Sequence, residues 1–133
     1  MSAYVPQDTE WLVAQAIAAD MPEITGVNVG ATMVPADLED RLPFVLVQAQ
    51  GGTVADRVID NARLNVDTWA ETPSEAMRAA HAAFGACMRL SDRSDVFRGA
   101  PGVSARPYAS PDEEHPTLAR CRFLIVVTTI TER

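Results

Sequence analysis

Lysine is absent from this chain. All 11 basic side chains are arginine, and 18 acidic ones outnumber them for a formal charge of −7. No single fold or chemistry demands arginine alone, so coding bias or ancestry accounts for it. The acidic balance argues against a protein whose main task is gripping nucleic-acid backbone, which takes a basic face able to displace counterions. Cysteine is scarce too: Cys87 and Cys121 sit in apolar patterns and read as small core residues. No C-x-x-C pair or Cys/His cluster suggests zinc. The longest apolar run, 123–127, is far too short to cross a bilayer, so no membrane role is expected. No basic segment followed by an apolar one opens the chain, so no secretion signal is expected. Repeats, heptads and low-complexity segments are missing as well. A cytosolic or particle-assembled protein is the expectation.

What is present suits one folded domain over residues 1–133, with 47% hydrophobic and 22% charged residues. The clearest statement lies in 62–90. Leu64 and Val66 alternate with Arg63, Asn65 and Asp67, the period of two of a strand with one buried and one wet face. Thr72-Pro73-Ser74-Glu75 then reads as a helix start, with Thr72 as cap, Pro73 at the first helical position and Glu75 completing a capping box. Met77, Ala80, Phe84, Cys87 and Met88 share one stripe of the helix that follows, opposite Glu75, Arg78 and Arg89.

An alanine-rich helix capped by Asp8 or Thr9 comes first and stops before Pro22. Residues 27–34 alternate as a strand. Residues 44–50 form a near-continuous apolar strand expected at the sheet centre, which Gly51-Gly52-Thr53 breaks into a hairpin tip holding Asp56 and Arg57. Beyond the second helix, 103–108 reads as a strand despite Pro107, and 110–116 as an acidic link. Residues 117–131 make a last long strand with Ala119, Cys121, Phe123, Ile125 and Val127 on one face. The expected class is α+β: a mainly antiparallel sheet of about five strands with two helices packed on one face.

Candidate chemistry is thin. His81 reads as a partly buried, hydrogen-bonded side chain at the edge of the helix stripe, and His115 as a solvated loop residue. Asp112, Glu113 and Glu114 lack the spacing of a calcium loop. Gly51-Gly52-Thr53 lacks the lysine of a phosphate-binding loop, and no serine has a nucleophile-elbow setting. Asp56 and Asp60 are neighbours only in sequence. No catalytic residue, metal ligand or cofactor is expected.

The order of elements, with a G-G break after "PFVLVQAQ", the strand "ARLNVDTWAET", an alanine-rich helix and the closing "RCRFLIVVTTI", resembles the tail terminator (tail completion) proteins of long-tailed bacteriophages. In that family a polar-alternating strand and an aromatic precede T-x-x-E-A, here 63–69 and 72–76. The resemblance implies a virion protein assembled in the host cytoplasm. It would form a homo-hexameric ring at the head-proximal end of the tail tube, end tube growth and offer a docking surface to the head–tail connector. Tail tube protein and neck proteins would be its partners, and genomic DNA would pass the lumen without specific binding, an acidic lumen disfavouring adhesion. Arg63, Asn65, Asp67 and Trp69 are the expected subunit contacts, because an aromatic ending a polar strand face is enriched at interfaces. Gly51, Gly52, Thr53, Asp56 and Arg57 are the expected tube contact. Two rivals stand beside it: another neck protein (head-completion or tail-to-head joining), and a dimeric small-molecule-binding regulatory domain.

Overall fold

A computed structural model describes residues 8–21, 34–54 and 59–130. The elements run α1 (Thr9–Asp20), a 3-10 turn (Leu38–Asp40), β1 (Phe44–Val54), β2 (Ile59–Ala70), α2 (Pro73–Met88), a single turn α3 (Leu90–Arg93), β3 (Gly102–Ala109) and β4 (Ala119–Ile130). The strands form one antiparallel sheet in the order β1-β2-β4-β3. The class is α+β as expected, with four strands among the described residues rather than five. The strand expected over 27–34 falls almost wholly outside those residues.

The two long helices lie on one face of the sheet, where Val13, Ile17, Val45, Val47, Leu64, Val66, Ala83, Phe123, Ile125 and Val127 make the main core. Alternation along β2 and β4 places their apolar sets under the helices, as period two requires. α2 begins as its sequence dictates: the Thr72 hydroxyl accepts from the Glu75 N–H (3.2 Å) and donates to the Glu75 carboxylate (3.0 Å). Its buried face is smaller than the expected stripe. Ala76, Ala79, Ala80, Ala83, Ala86 and Cys87 are buried, while Met77, Phe84 and Met88 straddle the margin. Alanines let α2 settle close to the sheet and α1, and Phe84 reaches round to meet Phe123 edge-on at 5.3 Å. His81 is exposed, not partly buried. Its Cβ direction, one residue past the Ala79–Ala80 contact, carries the ring away from the sheet.

Two further expectations change. β1 is a terminal strand among the described residues, not a central one. Phe44, Val45, Leu46 and Val47 are all buried because both faces of β1 are covered, one by α1 and the other by Leu38 and its neighbours. Nor do the glycines end β1. They lie inside it, where the pairing shifts from Ala49↔Leu64 to Gly52↔Ala62, a one-residue bulge. Gly51 sits at φ +87°, a conformation side-chain-bearing residues rarely adopt, so the bulge takes glycine there. Asp56 and Arg57 lie outside the described residues. Pro107 fits because β3 is, among the described residues, a terminal strand with irregular pairing, where a missing N–H costs no ladder bond.

Candidate functional site

The sheet face turned away from the helices is not wet throughout. Trp69, at the end of β2, is 1% exposed and packs with Phe44 (ring centroids 5.9 Å apart), Leu38 and Leu46. Its indole N–H donates to Asp112 Oδ2 at 3.0 Å. The same oxygen lies 2.8 Å from His115 Nδ1, which must be the donor because an ionised carboxylate only accepts. Asp112 Oδ1 accepts from the Glu114 N–H at 3.0 Å. Of the residues expected to be a solvated acidic link, Glu113 and Glu114 are exposed, whereas Asp112 and His115 are half-buried and fold the link back onto the sheet as a strap.

Arg120 pins the strap from β4. Its Nε donates to the Ser110 carbonyl (2.7 Å), and its Nη2 to Ser110 Oγ (3.2 Å) and the Pro111 carbonyl (3.1 Å). Its guanidinium stands 5.9 Å from the Trp69 ring centroid, within cation–π range. One strand row away, Asp67 on β2 pairs with its cross-strand partner Arg122 on β4, in a two-pronged contact of 2.6 and 3.1 Å. Asp67 is 2% exposed.

Together these residues floor and wall an open groove of about 780 Å³, with Leu46, Gln48, Asp67, Trp69 and Arg122 beneath and 34–36 and 111–115 at its sides. His115 is tied to Asp112 and the Ser110 hydroxyl to Arg120, so imidazole and hydroxyl are not joined as base and nucleophile. Among the described residues, no group of three or more His, Cys, Asp or Glu could hold a metal ion. Both cysteines are free and buried, and burial pushes the Cys87 thiol up to about 12, far from a reactive thiolate. No helix of the described residues is long and apolar enough to cross a membrane.

The expected subunit-contact residues therefore divide. Arg63 is exposed and Asn65 half-buried, whereas Asp67 and Trp69 are occupied inside the chain and offer a neighbour almost no surface. Of the expected tube contacts, Gly51 is exposed on the bulge, and Gly52 and Thr53 continue β1. Sequence reasoning missed Asp112, His115, Arg120 and Arg122 as partners of this face. The available signal was opposite charge on two strands, at Asp67 and Arg122, but it becomes legible only once register is known.

The Asp112 contacts carry a pH dependence. Burial alone would raise this carboxyl, but hydrogen bonds from His115, Trp69 and the Glu114 N–H, with the Arg120 charge, hold it below its ordinary value of 3.8. A group depressed in the folded state contributes stability that is fully present above its unfolded pKa and lost as pH falls through the folded one. Acidification below about pH 4 is therefore expected to loosen the strap. In a Trp11→Phe background, Trp69 emission should shift to the red over that range before global unfolding, and Asp112→Asn should abolish this step. An unchanged step in Asp112→Asn would assign it to other carboxylates.

No protein-family model matches this chain, and no curated protein matches it.

Proposed function

We propose that this chain is a structural virion protein that rings the head-proximal end of a phage tail tube, stops its growth and presents the docking surface for the head connector. The observation carrying this reading is the unit from Arg63 to Ala76. The residues that resemble tail terminators form one continuous strand, an aromatic anchor and a capped helix, instead of being scattered over unrelated loops. A fifth strand over 27–34 is part of the same proposal. A binding and assembly role without catalysis suits a groove whose polar groups are bound to one another. Arg63, Asn65 and the Gly51 bulge remain on the surface for assembly contacts.

The test is particle mass in solution across a concentration series, with and without tail tube protein. A six-membered ring, alone or on tube ends, is expected. A dimer indifferent to tube protein would overturn the reading. Capture of a portal or adaptor instead of tube protein would move the chain to another neck position.

The groove favours one second reading, a dimeric ligand-binding domain. Its volume of about 780 Å³ is in the range of small-molecule sites. That reading would show as a dimer whose melting temperature rises with a small molecule.

A further inference from the structure

The two sides of this sheet differ in charge, and both carry exposed apolar side chains. The β3 edge continues upstream: the Arg98 N–H donates to the Thr128 carbonyl (2.9 Å), and the Ile130 N–H to the Val96 carbonyl (2.8 Å). This edge, residues 96–109, holds Arg98 and Arg106, both exposed, and no acidic side chain in a chain with 18 of them. On the opposite side, α1 and its cap hold Asp8 and Glu10 and no basic residue, while Asp20 at the end of α1 is already paired with Arg89 and Arg93. The turn leading into β1 adds Asp37, Glu39 and Asp40 against Arg41 alone.

The exposed large apolar residues among those described are Trp11 (47%), Val103 (43%) and Tyr108 (39%). Two lie on the β3 edge and one on α1. The Glu10 carboxylate accepts the Ala49 N–H at 2.7 Å, which fixes the start of α1, and Trp11 with it, beside β1. Ala49 pairs with Leu64, Leu64 with Ile125 and Ile125 with Val103, so the Glu10 contact and Val103 end the same row across the sheet.

We propose that copies of this chain associate head to tail: the β3 edge of one copy docks on the α1 side of the next. Val103, whose cross-strand partner Ile125 faces the helices, meets Trp11 there, and Arg98 and Arg106 face the acids of α1. Tyr108 pairs with Arg122 on the other face of the sheet and is not part of this contact. A two-fold pairing of β3 with β3 would set these arginines against their own copies in a segment with no acid to offset them. Charge complementarity thus selects the heterologous contact, the kind that closes into rings. This inference rests on the ring reading and supplies its subunit interface, which the burial of Asp67 and Trp69 removes from the inner part of β2.

The experiment uses two exposed-edge variants of the full chain, Val103→Glu/Arg106→Glu and Trp11→Arg, with circular dichroism to confirm folding and sedimentation velocity to count copies. The wild type is expected to assemble, more weakly at high salt. Each variant alone should associate at least about tenfold more weakly. An equimolar mixture should give a heterodimer and nothing larger, because each variant keeps one intact edge. A Trp11→Arg variant that assembles like the wild type, or a mixture that stays monomeric, would overturn the proposal. A hexamer that survives both variants would leave the ring reading standing and sink this interface. A wild type that stays monomeric or dimeric at every concentration, with and without tail tube protein, would sink both.

Discussion

Trp69→Ala is expected to cost about 4 kcal/mol of stability, the largest effect of any single truncation of this face. The indole is 1% exposed and meets Phe44, Leu38 and Leu46, so alanine leaves a cavity the sheet cannot collapse to fill. The change also takes one donor from Asp112, whose other partners were arranged around that indole. Against a typical total of about 5–15 kcal/mol, a loss of this size leaves a marginal fold. Trp69→Phe keeps most of the packing but gives up the 3.0 Å hydrogen bond, and should cost about 1–2 kcal/mol. Urea unfolding of the three proteins measures both. A Trp69→Ala variant within about 1 kcal/mol of wild type would mean that the strap and turn repack around the gap. Loss of assembly in this variant would report unfolding rather than a missing contact, so it must be read beside the melting curve.

Much of the fold is visible in the residues because the signals that set it are local. The Thr72 cap, the proline after it and the alternation of Leu64 and Val66 each act within a few positions, and each element forms where they place it. The covering of the second sheet face is another matter. Trp69 meets Asp112 across 43 positions and Asp67 meets Arg122 across 55. No local pattern announces that an acidic stretch will fold back onto an indole. β1 shows the same limit from the other side. Its unbroken apolar run reports that both faces are covered, and reading that as a central position confuses burial with place in the sheet order. The glycine pair was legible as a break in regularity, yet a bulge and a turn call for the same residue, and only the register of β1 on β2 separates them. The groove follows from all of these together, which is why no single stretch foretells it.

Asp67→Ala should destabilise by about 3 kcal/mol, because it leaves the Arg122 guanidinium facing a low-dielectric floor with no counter-charge. The estimate sits at the lower end of the range for buried pairs, since the Arg122 side chain is 27% exposed and water can partly replace the lost carboxylate. Arg122→Ala should cost a similar amount, leaving Asp67, at 3% side-chain exposure, still less able to find water. The two losses will not add. With both groups gone no charge is stranded, so a double-mutant cycle is expected to return a coupling of about 1–3 kcal/mol. Asp67→Leu with Arg122→Met should approach wild-type stability, as apolar replacements of buried ion pairs do. A coupling below about 0.5 kcal/mol would reduce the contact to an ordinary surface pair. Salt supplies an independent check: a pair shielded by the strap and the sheet should keep its coupling at high ionic strength, whereas the charged edges proposed to join subunits should not. The same titration therefore separates what holds the monomer together from what joins one copy to the next.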